Sequence, residues 1–176
     1  MWTDIAQVVT AGFIGWVLHG SIAFYRNRIN IRTYLSIALP AKIKETETNC
    51  KIQSEYLSNK IVIGQLISIP PNYKADTLDA IICVKPQIIE YLTNDEIIKF
   101  TNLVFCLAEL EALYEGFCNH IKEHEKGKKV VDEEFYKHLD GHLKKSQHLV
   151  NQLIKIKVKI TSLRDLPNEY DFITTI

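Results

Sequence analysis

The sequence predicts an all-α protein: a single N-terminal transmembrane helix followed by a cytosolic helical domain built on a long antiparallel hairpin. Three observations carry that reading. Residues Ile5 to Tyr25 contain no Asp, Glu, Lys or Arg. A capping-box signature at Thr93-Asn94-Asp95-Glu96 opens a stretch whose apolar residues recur by threes and fours. A second stretch with the same period follows a short polar turn.

The apolar stretch meets the length of a bilayer-spanning helix, which needs roughly 20 residues. Asp4 precedes it and Arg26, Arg28 and Arg32 follow. Trp2 lies near one end, and Phe24 and Tyr25 at the other, where amphipathic rings favour the membrane interface. A secretory signal is the competing assignment, with Ser21-Ile22-Ala23 as its cleavage site. That assignment needs a basic segment first, and Met1-Trp2-Thr3-Asp4 has none. A buried soluble helix is the other alternative, because Gln7, Thr10, His19 and Ser21 lower the hydrophobicity.

Basic residues resist translocation, so the arginines place the C-terminal side in the cytoplasm and residues 1–4 outside the inner (plasma) membrane. Arg26, Arg28 and Arg32 set topology and can meet anionic headgroups. Within the span, Ala11, Gly15 and His19 form a row at four-residue spacing, with Gly12 and Gly20 on a neighbouring stripe. Small residues let two helices approach closely in lipid, so this row is the expected self-association face.

Residues 26–40 read as a basic juxtamembrane or interfacial segment that Pro40 closes, since proline disfavours helix in the residue before it. Residues 41–166 read as the cytosolic bundle. Its first helix begins polar (Lys42, Lys44, Glu45, Glu47) and ends in an apolar run to Ile69, before Pro70-Pro71. Short helices are expected from Asp76 or Thr77 to Val84 and from Gln87 to Leu92. Thr93 and Glu96 then cap the start of the first long helix. Phe100, Leu103, Leu107, Leu110, Tyr114, Phe117 and Ile121 lie on one face of it.

Gly127 is placed to end that helix. Phe135, Leu139, His142, Ser146, Leu149, Leu153, Ile156, Ile160 and Leu163 form the facing stripe. Two long helices joined by a short turn pack antiparallel, so Thr93–His124 and Val131–Leu163 form the hairpin. The strict alternation of Ile154 to Ile160 is also compatible with a strand, which would need a partner. Residues 167–176 read as a C-terminal tail. The hairpin alone cannot bury both seams, so the helix from Lys42 or a second subunit should cover it.

Composition narrows function by exclusion. With 21 basic and 21 acidic residues among 176, the chain lacks the basic excess of a nucleic-acid binder. The lysines at 144, 145, 155, 157 and 159 have no interleaved aromatics to stack bases. Cys50, Cys83, Cys106 and Cys118 form no CxxC pair and read as buried, reduced apolar groups. No glycine-rich phosphate loop, nucleophile elbow or HExxH arrangement occurs.

One constellation bears weighing. His120 and His124 are four apart, as are His138 and His142, on either side of the turn. If the turn is centred on Gly127 and Lys128, His138 falls across from Cys118. Glu115, Cys118, Glu134, His138 and His142 then form a candidate metal set. The reading adopted is nevertheless that His142 occupies a seam position and the other histidines lie on solvated helix faces, and no metal or cofactor is expected. The function expected is association with a protein partner or with itself at the membrane, without catalysis. The alternatives are a membrane-disrupting effector, of the kind bacteria use in anti-phage abortive defence, and a helical metal-binding protein.

Overall fold

The computed structural model describes residues 2–67, 89–157 and 163–169, with side chains for 13–67, 89–156, 163 and 165–169. Three helices build it: α1 (Trp2–Lys60), α2 (Asn94–Lys126) and α3 (Glu133–Lys157), with a 3-10 turn at Leu163–Asp165. Among the described residues there is no strand, only an isolated antiparallel bridge between Leu66 and Val130. The described residues are thus all-helical, and α1, α2 and α3 pack as a bundle.

Helix α1 is one rod of 59 residues. It continues past Tyr25 and does not break at Pro40, where the sequence places a stop. Proline removes one backbone donor and crowds the preceding turn, at a cost of about 3 kcal/mol in a helix interior. Packing on both sides of it outweighs that cost. Leu35, Leu39 and Ile43 are all buried on one stripe across the proline, and each buried leucine or isoleucine contributes about 1.5–3 kcal/mol. Among the described residues no helix is long and apolar enough to cross a membrane. The first eight residues of the Ile5–Tyr25 stretch lie outside the described side chains.

The same helix stops earlier than its apolar end suggests, at Lys60 rather than near Ile69. Residues 61–67 turn back along the α2–α3 connection. Gly64 takes a φ of +86°, a conformation open to glycine. Its amide donates to the Val131 carbonyl (2.8 Å), and the Val131 amide donates to Gln65 (3.0 Å). The short helix expected before Val84 falls on residues outside those described; of the one expected from Gln87 to Leu92, residues 89–92 are described and close in a turn in which the Leu92 amide donates to the Ile89 carbonyl (3.3 Å).

The hairpin forms with both of its ends capped. Thr93 Oγ1 accepts from the Glu96 amide and Glu96 returns a bond to the Thr93 amide, completing the capping box. Asp132 caps α3 by accepting from the Phe135 amide at 2.7 Å. Gly127 is the C-cap of α2 in a right-handed conformation, and Lys128 takes the left-handed step with φ of 46°. Leu103, Leu107, Leu110, Tyr114 and Phe117 on α2 are buried, as are Leu139, Leu149 and Leu153 on α3. Phe135 and Ile156 are partly buried against the same core. Ile154 to Lys157 are helical despite their alternation. Leu163 and Leu166 are buried too, and Asn102 donates to the Asn168 carbonyl, tying the chain's later part onto α2.

Helix α1 supplies the third wall of the core, and its contribution is unusually polar. Lys42, Thr46, Asn49 and Gln53 are all buried. They alternate by four, three and four, continuing the stripe that Leu35 and Leu39 begin. Tyr114 Oη donates to the Thr46 carbonyl across the core (2.7 Å). Gln53 is different, because both amide atoms are buried without a hydrogen-bond partner. An unpaired buried polar group costs about 1–3 kcal/mol. Gln53→Leu should therefore stabilise the chain by about 1–2 kcal/mol in chemical denaturation. A destabilised variant would mean that the amide is paired in solution.

Candidate functional site

Two places on the molecule combine unusual chemistry with defined geometry. The first is where α1 enters the bundle. Side chains from Phe13 to Asn27 are exposed around the whole helix, including Phe13, Trp16, Leu18 and Ile22. Gly15 and Gly20 have open space where a Cβ would stand, and His19 is exposed. None of the described residues covers the Gly15–His19–Gly20 face. Ala11 and Gly12 lie outside the described side chains.

Contact with the bundle begins at Phe24, whose ring lies 5.1 Å from that of Tyr91. Asn27 donates to Tyr91 Oη at 3.2 Å. Arg32 then reaches Glu96 at 2.5 Å, and Arg28 approaches the same carboxylate at 3.7 Å. Glu96 is 1% exposed. Burial alone would raise its pKa. The bonds from Thr93 and the charges of Arg32 and Arg28 outweigh burial and hold it below the usual carboxylate value. Arg26 is exposed. Two of the three basic residues behind the apolar stretch thus have a carboxylate inside the protein as partner.

The second place is a histidine cluster where α2 and α3 face each other near the turn. His138 Nε2 lies 2.9 Å from His120 Nε2 and 3.3 Å from His142 Nε2. One ring nitrogen from each of the three falls within 4.8 Å of the others. The His120 and His138 rings meet edge to face with centroids 4.3 Å apart. The His142 ring fits because residue 116 is glycine: a Cβ there would stand 2.9 Å from His142 Cε1.

Burial and neighbouring charge lower the pKa of two of the three rings. Burial, followed by the neighbouring His138, His120 and Lys145 charges, pushes His142 down to about 4. Burial and His138 likewise hold His120 below the usual histidine value, against an opposing pull from Glu123. His142 Nδ1 is buried without a well-formed hydrogen bond. The Leu113 carbonyl is nonetheless near enough to favour a proton there.

No protein family, curated protein or solved structure matches this chain.

The cluster differs from the set read in the sequence by one change of register. His138 faces His120 rather than Cys118. Helix α2 ends at Lys126 and α3 begins at Glu133, so the connection centres near residues 129 and 130 instead of 127 and 128. That offset brings in His120, and places Gly116 beneath His142. Cys118 is buried in the core, and Glu115 is exposed on α2. Glu134 lines an open cleft with His120, His124, Asp132 and His138. Cys50 and Cys106 are buried free thiols, raised by burial to about 11 and about 12.

Proposed function

We propose that the protein is a single-pass, membrane-anchored helical protein that acts by association with a protein partner or with itself. The N-terminus lies outside and the bundle is cytosolic. The supporting observation is the run of exposed apolar side chains around the full circumference of α1 before the bundle begins. An amphipathic surface helix hides its apolar face, whereas one that is apolar all round belongs in lipid or within a larger protein. From Trp2 to Ala23, ahead of the first contact at Phe24, the helix is about 33 Å long at 1.5 Å per residue, against roughly 30 Å for a bilayer core.

The junction fits the same reading. The Glu96 pairs fix the bundle directly behind the apolar segment, and Arg26 remains exposed at headgroup level. The uncovered Gly15–His19–Gly20 face is where a second helix would pack. No reaction is assigned to the chain.

The test is extraction and crosslinking of the full-length chain in bacterial membranes. The protein should stay with the membrane in alkaline carbonate and leave it only in detergent. Ile14→Glu with Val17→Glu should release it, since each mid-membrane charge costs on the order of 2.5–3.5 kcal/mol. Gly15→Leu should leave it in the membrane but reduce crosslinked dimer severalfold. Carbonate release of the unaltered protein would overturn the anchor. An unchanged dimer yield in Gly15→Leu would overturn close packing at that face.

A further inference from the structure

We infer that His120, His138 and His142 form a binding site for one divalent transition-metal ion of the zinc class, clamping α2 to α3. The inference stands on the convergence of three Nε2 atoms from two helices, and does not depend on where α1 resides. Two nitrogens each about 2.0–2.1 Å from a tetrahedral ion stand about 3.3 Å apart. The His138–His142 separation is 3.3 Å and the His120–His138 separation 2.9 Å. Those two separations lie within about 0.4 Å of the tetrahedral value, and the ligand atoms of His120 and His142, within 4.8 Å of each other, close the rest of the way around the ion.

Proton accounting separates this from a simple histidine network. Without a metal, His138 Nε2 carries either one lone pair or one proton, so it cannot make full hydrogen bonds to both His120 Nε2 and His142 Nε2. With a metal, all three Nε2 lone pairs bind the ion. The His142 proton then sits on Nδ1 and can be donated to Leu113, the outer-sphere arrangement usual for ligating histidines. Every polar atom of the ring then has a role.

The surroundings suit a borderline ion. Three neutral imidazoles favour zinc, cobalt, nickel or copper over magnesium or calcium, which require oxygen. His120 and His138 also border the cleft that contains Asp132 and Glu134. Water from that cleft supplies the fourth ligand. Lys137 and Lys145 near His138 and His142 oppose a cation, and the two carboxylates offset them. Gly116 belongs to the site as a positioning residue, because any side chain there displaces the His142 ring.

The experiment uses the full-length, tag-free protein in detergent, with zinc titrated by calorimetry and cobalt by visible absorption. One ion per chain is expected, with the intense absorption of tetrahedral cobalt. Zinc at 100-fold over its dissociation constant should raise Tm by about 5 °C or more. His138→Asn, at an exposed position, should weaken binding about tenfold or more, whereas His148→Asn should not. Gly116→Ala retains all three ligands and should also weaken binding. If His142→Asn fails to fold, His138→Asn still decides. No zinc uptake at micromolar concentrations, octahedral cobalt absorption, or equal binding by His138→Asn would each overturn the site.

Discussion

Replacing Glu96 with alanine should cost about 2–3 kcal/mol, a large share of a small domain's stability. Three contributions disappear together. The capping box loses its return bond to the Thr93 amide, and a capping interaction is worth about 1 kcal/mol. The buried side chain leaves a gap at the start of α2. The charge pairs with Arg32 and Arg28 also vanish, although those arginine side chains are 39% and 30% exposed and their ends regain water in part. For that reason the loss stays below the 3–5 kcal/mol expected when a partner is left buried and uncompensated. Glu96→Gln separates charge from geometry: it can still cap, so it should lose less than alanine.

The pH dependence follows from the same carboxylate. Its folded pKa lies below the ordinary value of 4.5. The charge-dependent stabilisation is therefore complete above that ordinary value and declines as pH falls through the lower folded one. Denaturation of the native chain and Glu96→Gln should give a gap that is constant near neutrality and closes in acid. A gap that widens toward low pH would show that burial, not the arginines, governs this group.

The hairpin was legible because its seams are apolar and its caps are local. Thr93 and Glu96 lie three residues apart, so no distant partner was needed to recognise them. The third wall was harder to read for an equally physical reason. Its inward positions on α1 are Lys42, Thr46, Asn49 and Gln53, and a search for apolar period skips them. Admitting polar residues to the same four-three spacing recovers the stripe. His120 was visible as half of a spaced pair, but its partner depended on the turn. Moving the centre of the connection from residues 127–128 to residues 129–130 exchanges Cys118 for His120 across the hairpin. Such register depends on the caps at Asp132 and Gly127 together, not on either helix alone. Gly116 carries no local signal: its value lies in a ring on the facing helix. The destination of the arginines was likewise hidden, since Glu96 is 64 residues beyond Arg32.

The buried lysine gives the sharpest asymmetry. Lys42 is 1% exposed, and its ammonium reaches Glu111 at 2.6 Å and Glu45 at 3.1 Å. The two carboxylates are 20% and 24% exposed, so they are partly solvated without it. Removing Glu111 leaves most of the desolvation cost of Lys42 in place with only Glu45 to offset it. Glu111→Ala should thus lose about 2–3 kcal/mol, just below the 3–5 kcal/mol of fully buried pairs. Lys42→Met removes the buried charge and keeps the volume, while both glutamates rehydrate. Its stability should fall within about 1 kcal/mol of the native chain, on either side. In Lys42→Met the further change Glu111→Ala should cost almost nothing, because no buried cation is left to strand. Urea denaturation of the three variants completes a double-mutant cycle with a coupling of about 2 kcal/mol. If Glu111→Ala costs the same in both backgrounds, Glu111 contributes packing alone. The lysine among the leucines is then held by Glu45 and by its own aliphatic stem.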